Sequence, residues 1–193
     1  MTNGNKIGTT SFCQKRLLKS NLLSIYLVLE IMNVKLALQR QTHAALAMLR
    51  ECVELCPAET WTSGPHPRSF WRIAYHAAAY AHLYLFPNLD SFQPWSKHRQ
   101  DCTYLEGEAP DVAPYTQAEI LECIDLIDSE VEARLDALDL DAETCGFTWY
   151  PAVSRVELQI LSLRHLHGHI GQLSEILIGK GIDTTWLGPA PQA

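Results

Sequence analysis

Arg164-His165-Leu166-His167-Gly168-His169-Ile170-Gly171-Gln172 lies near the C-terminal end of a 193-residue chain, inside a stretch whose apolar residues recur at helical spacing. An α-helix turns by about 100° per residue, so His165 and His169 fall roughly 40° apart on one face. Leu158, Leu161, Leu173 and Ile176 point the same general way, as does Gln172. Two histidines and a glutamine therefore interrupt what is otherwise an apolar stripe. His167 projects almost opposite and reads as a surface residue. A lone histidine on such a face is ordinarily a core residue satisfied by a hydrogen bond. Two at i, i+4, with an amide one turn on, make half of a divalent-metal site, because neutral imidazole suits borderline metals.

The flanking sequence defines the helix that carries them. Ser154-Arg155-Val156-Glu157 is a capping box opening it, and Gly179-Lys180-Gly181 closes it. A second capping box, Thr116-Gln117-Ala118-Glu119, precedes the stripe Ile120, Ile124, Ile127, Val131 and Leu135. Nearer the N-terminus, residues 33–56 carry Leu38, Leu46, Leu49 and Val53 at helical spacing, and Pro57 stops them. After the breakers Ser63-Gly64-Pro65-His66-Pro67, another helix runs from about Ser69 to Phe86 and ends at Pro87-Asn88. Residues 87–115 lack a period and predict a long ordered connection. No strand-like alternation competes with these signals. The pattern predicts an all-α fold, a four-helix bundle with a long crossover connection between helices 2 and 3. Bundles of this kind commonly hold metal sites in their cores.

A catalytic site of the zinc type usually has three protein ligands and one open position. His43, His66, His76, His82 and His98 compete for the third place. His66 stands between prolines and His98 in the long connection, where solvation is expected. His43 and His82 read as edge or surface residues. His76 is mid-helix, in Ile73-Ala74-Tyr75-His76, with Ile73, Tyr80 and Leu83 around its own direction. A partner for the His165/His169 pair must come from a facing helix, so His76 is the expected third ligand. Gln172 is a candidate to orient a ligand histidine from outside the ligand set. Tyr75, Tyr80 and Trp95 are candidate walls of a pocket beside it. No general base is evident: Glu175 lies too far round the helix, and Asp101, Glu106 and Glu108 sit in the long connection.

Composition narrows the field. The chain is 47% hydrophobic and 19% charged, with a net charge of −7, which argues against nucleic-acid and acidic-membrane binding. Cys13, Cys52, Cys56, Cys102, Cys123 and Cys145 show neither disulfide-scaffold nor zinc-ribbon spacing, and read as mostly buried thiols in a reducing, cytoplasmic setting. Lys15, Arg16 and Lys19 precede the apolar run 22–29, but no small-residue cleavage site follows, and the run is too short to cross a bilayer. Residues 1–31 are therefore expected to be an extension outside the core, with the bundle over 32–187 and a tail over 188–193. The helix bearing His76 is apolar nearly all round, and Ala77, Ala78, Ala79 and Ala81 permit close approach. A homodimer buried partly through that helix is expected.

The Ile-Ala-Tyr-His context of His76, followed by His165-x-x-x-His169-Ile170-Gly171-Gln172, resembles the DinB/YfiT-like metalloenzymes over about 32–187. In that family three corresponding histidines bind a divalent metal within a four-helix bundle, and many members are homodimers. Ile170 departs from the polar residue that often precedes the Gly-Gln. The resemblance implies a divalent metal, zinc or nickel, on His76, His165 and His169. It further implies a transferase that activates a low-molecular-weight thiol, such as bacillithiol or mycothiol, toward an electrophile. Two alternatives stay open: a hydrolase that activates water at the metal, and a non-enzymatic metal-stabilised dimer with a binding or stress-related role.

Overall fold

The computed structural model describes residues 33–107 and 109–188. The expected extension over 1–31, Met32, Cys13, Glu108 and the end of the tail lie outside the described residues. The chain divides into two compact units, Met1–Leu36 and Ala37–Ala193, and every residue of the candidate site belongs to the second.

Among the described residues the protein is all-helical, with no strand. The long helices are α1 (Val34–Leu55), α3 (Phe70–Tyr84), α4 (Gln117–Ala137) and α5 (Arg155–Ile178). A single extra turn, α2 (Ala58–Trp61), follows Pro57, and a 3-10 turn at Gln100–Cys102 punctuates the connection before α4. The sequence pattern did not announce either short element, because one turn has no period to read. Both expected capping boxes form. Thr116 accepts from the Glu119 backbone and Ser154 from that of Glu157, while each glutamate side chain returns to the cap backbone.

The apolar stripes point inward as their spacing requires. Leu38, Leu46, Leu49 and Val53 of α1 are buried, as are Ile120, Ile124, Ile127, Val131 and Leu135 of α4. Links between α1 and α4 include Gln39 to Asp136 at 3.1 Å, His43 Nδ1 to Asp128 at 2.6 Å, Arg50 to Asp125, and Gln117 to Val53 O at 2.9 Å. The α3 helix is the most enclosed, packing against both α4 and α5. Its buried residues include Ile73, Ala74, Tyr75, Ala77, Ala78 and Ala81. The chain itself thus covers both apolar faces of α3. Its apolar character is accounted for by packing within the chain.

The connection 85–116 is ordered by polar and aromatic anchors rather than by periodic packing. Trp61 Nε1 donates to Tyr115 O at 2.6 Å, the Tyr115 hydroxyl to Lys97 O at 2.5 Å, and Trp95 Nε1 to Glu122 at 3.1 Å. Arg99 stacks on the Tyr115 ring, 3.8 Å from its centroid.

The end of α3 is pinned to the start of α5. Gln159 donates to Tyr84 O at 2.7 Å, and buried Arg155 donates to Phe86 O at 3.3 Å and Pro87 O at 2.8 Å. The first bond satisfies a carbonyl that the helix end leaves open, and the other two hold the turn just beyond it. They also set the antiparallel register of α3 against α5. Gly146 makes this junction possible: its φ is +83°, and a Cβ there would lie 2.0 Å from Pro87 O. Gly146→Ala should cost about 3 kcal/mol, combining left-handed backbone strain with a backbone clash. Chemical denaturation measures it, and an unchanged midpoint would show that the junction is loose.

Candidate metal centre

The α3–α5 register brings the three expected ligands together. From the Gln159–Tyr84 bond, His76 lies eight residues back along α3, while His165 and His169 lie six and ten residues forward along α5. At 1.5 Å per residue, His76 arrives about level with the middle of the i, i+4 pair. His76 Nε2 is 2.9 Å from His165 Nε2, and His169 Nε2 is 3.1 Å from the same atom. One ligand atom from each of the three residues falls within 4.8 Å of the others, so the group could hold a metal ion.

The outer nitrogens determine what the inner ones present. His76 Nδ1–H donates to Thr103 O at 2.6 Å, and His169 Nδ1–H donates to Gln172 Oε1 at 2.9 Å. A neutral imidazole carries one N–H, so both Nε2 atoms present lone pairs. They converge on His165 Nε2, which has at most one proton to share. With the proton there, one neighbouring lone pair is left unsatisfied. With it on Nδ1, three lone pairs face one another, and buried Nδ1 still has no partner. A cation between the nitrogens resolves this conflict. Imidazole nitrogens each about 2.0–2.1 Å from a shared first-row ion lie roughly 3–3.5 Å apart. The donor set therefore fits a divalent metal.

Electrostatics act in the same direction. Burial lowers the His76 pKa to about 3, helped by His169, His165 and Arg68, against the opposing bond to Thr103. Burial and the neighbouring His169 take His165 to about 4. Burial also lowers His169, against the opposing bond to Gln172. All three are neutral near pH 7, as ligands must be.

Gln172 occupies its expected place, but not on a buried stripe. It is exposed and reaches His169 from the solvent side, while Ser162, Leu166, His169, Ile170 and Leu173 form the buried face. His167 is half-buried under Trp186, with ring centroids 6.0 Å apart, because the C-terminal segment folds back over α5.

The other histidines stand apart from the triad. His82, expected at an edge, is fully buried between Phe86 and Phe92 and faces Glu130 at 3.4 Å. His43 is held by Asp128, and exposed His66 meets Ala109 O at 2.8 Å. His98 is not freely solvated: its Nδ1 is 2.7 Å from the Tyr75 hydroxyl.

Two cavities border the triad. The smaller, about 370 Å³, is lined by all three histidines with Arg68, Tyr80, Thr103, Tyr104, Leu105 and Glu106. The larger, about 780 Å³, also reaches His165 and shares Tyr80, Thr103 and Tyr104 with the smaller. Tyr80 walls both, but Tyr75 and Trp95 line neither. Those two are core residues with ring centroids 6.4 Å apart, so two of the three expected pocket walls are packing residues.

Three site groups escaped the sequence reading. Thr103 acts through its backbone carbonyl, which leaves no trace in residue type. Arg68 follows a breaker cluster that gave no hint of where its guanidinium would lie. Glu106 was visible as a carboxylate, but the connection holding it has no period from which to trace its path. Cys52, Cys56, Cys102, Cys123 and Cys145 are all free and buried, and burial pushes the thiols of Cys56 and Cys123 up to about 12. They are inert packing residues. No helix among the described residues is long and apolar enough to cross a membrane. No family model matches this chain, and no curated protein matches it.

Proposed function

We propose that this chain is a DinB/YfiT-like four-helix bundle, with 85–116 as its crossover, that holds zinc or nickel on His76, His165 and His169. The observation that carries this reading is the convergence of three Nε2 atoms, two of which have their Nδ1–H groups fixed from behind. The activity proposed is thiol transfer in the cytoplasm, with a homodimer as the working assembly on the strength of the family resemblance. A bound divalent ion supplies Lewis acidity, lowering the pKa of a thiol or water that it holds.

The chain's own residues supply the rest. Glu106, the one carboxylate on the wall of the smaller cavity, accepts the S–H proton. The sulfur lone pair forms the new S–C bond as the bond to the leaving group breaks. The leaving group departs with the proton returned by Glu106. Burial raises the Tyr80 pKa, so its phenol stays protonated and donates a hydrogen bond to charge developing on the electrophile. Arg68 presents positive charge to an anionic part of the thiol. The large cavity against His165 favours this reading over a purely structural site, which has no use for it.

The test is cobalt substitution. Adding cysteine, cysteamine or glutathione to the cobalt protein should produce a sulfur-to-metal absorption band. Full cobalt loading with a spectrum indifferent to all three thiols would exclude thiol transfer by these thiols and leave hydrolysis or a structural role. Gln172→Ala should weaken zinc binding about 10–100-fold without abolishing it, because the His169 ring loses its orienting acceptor. Competition with a chromophoric chelator measures this, and an unchanged affinity would show that Gln172 only packs.

A further inference from the structure

The two cavities at the triad differ in charge. All the formal charge near the histidines, Arg68 and Glu106, lies on the wall of the smaller one. The larger has no Asp, Glu, Lys or Arg in its lining. Its walls are chiefly aromatic and aliphatic, with Tyr80, Tyr84, Phe92 and Tyr150 among them, and Leu161 stands one turn before His165 on α5. Leu89, Tyr104 and Trp149 also belong to this cavity while remaining among the exposed large apolar residues, which extends the same character to its mouth. The Tyr80 and Tyr84 hydroxyls add hydrogen-bonding capacity to this lining. The cavity's volume of about 780 Å³ is within the range of small-molecule sites.

From the charge-free aromatic lining of this cavity and its contact with His165, we infer that it binds the electrophile and selects a neutral aromatic or alicyclic molecule. The inference rests on the metal-site reading above and names the substrate class for it. An anion entering here would lose its water along walls that offer no Lys or Arg in return, and the ion at His165 faces it only from one end of the cavity. A cation would find aromatic faces, but would be held against a dication at the triad, and like charges at close range repel strongly in an apolar cavity. A neutral molecule meets neither cost and gains from apolar burial. Its uncharged polar groups can pair with the tyrosine hydroxyls, Gln100 or Thr103, all of which line the cavity. The polar cosubstrate is left the smaller cavity with Arg68 and Glu106, and the two cavities adjoin along Tyr80, Thr103, Tyr104 and His165.

The test uses three probes of one shape on the zinc-loaded full chain: 2-naphthalenemethanol, naphthalene-2-sulfonate and (2-naphthylmethyl)trimethylammonium. Ligand-observed NMR gives their affinities. The neutral alcohol should bind at least 10-fold more tightly than either ion. Leu161→Trp, which fills the cavity next to His165, should weaken the alcohol at least 10-fold while zinc content stays at the wild-type level. Leu89→Arg, an exposed substitution at the mouth that the fold tolerates, should reverse the order in favour of the sulfonate. The inference is overturned if either ion binds as tightly as the alcohol, or if neither variant alters alcohol binding. Zinc content measured on the same samples decides the metal-site reading separately. A zinc-free wild type defeats that reading, whereas a zinc-loaded protein without the neutral preference defeats only the substrate class.

Discussion

A chain carrying His165→Ala or His169→Ala is expected to retain less than a tenth of the divalent metal held by the wild type, whereas His167→Ala retains all of it. His165 Nε2 lies between the other two ligand nitrogens, so its loss leaves two imidazoles with no bridging donor. Loss of His169 also strands the Gln172 acceptor. His167 packs against Trp186, away from the centre. Stability should follow occupancy. With free metal at 100 to 1,000 times the dissociation constant, binding contributes about 2.7–4.1 kcal/mol to the folded state, and the two ligand variants forfeit it. Elemental analysis and thermal unfolding of the same preparations check both effects. Full metal in His169→Ala would refute the assigned site.

Acid should destabilise the metal-free protein steeply. The triad histidines are neutral in the fold, with His165 held at about 4 and His76 at about 3, and with His169 lowered too. In the unfolded chain each titrates near 6.5. Below that value the unfolded state binds more protons than the folded state, so stability falls as pH falls. Each histidine contributes up to about 1.4 kcal/mol per pH unit, or about 4 kcal/mol for the three once their unfolded forms are charged. The loss runs from about pH 6.5 down towards 4, then eases as His165 and finally His76 take up protons within the fold. Buried His82, also lowered by desolvation, adds in the same direction. Bound metal should hold the ligands deprotonated further into acid and then leave cooperatively. Urea titrations at pH 7, 6 and 5 on the metal-free wild type and on a triple His→Gln variant provide the comparison. Equal pH slopes in the two proteins would mean that the triad is not buried in its neutral form.

The four long helices were legible because each rests on local signals. Repeating apolar residues mark their inward faces, paired cap residues start α4 and α5, and prolines or glycines follow the ends of α1, α3 and α5. The His165/His169 pair was equally legible, since i, i+4 spacing on one helix is a property of the helix alone. His76 could be chosen only by asking which other histidine stands mid-helix on a helix able to face that pair. Local spacing does not determine that α3 and α5 meet in a register that closes the triangle. Three donors from Arg155 and Gln159 set it on the carbonyl of Tyr84 at the end of α3 and on those of Phe86 and Pro87 just beyond, with Gly146 allowing the approach.

What surrounds the triad was decided by tertiary structure. The connection 85–116 has no periodicity, and its course follows from a few long-range anchors, among them Trp61 on Tyr115 and Arg99 over the same ring. That course delivers the Thr103 carbonyl to His76 and places Glu106 beside the ligands. It also builds much of the charge-free cavity from residues far apart in the chain, from Ala79 to His165. Helical periodicity depends on neighbours three and four residues away, so the sequence by itself determined the helices and the ligand pair. A cavity and a register depend on which distant side chains fill the space between helices, so only the tertiary structure decided what the ligands face.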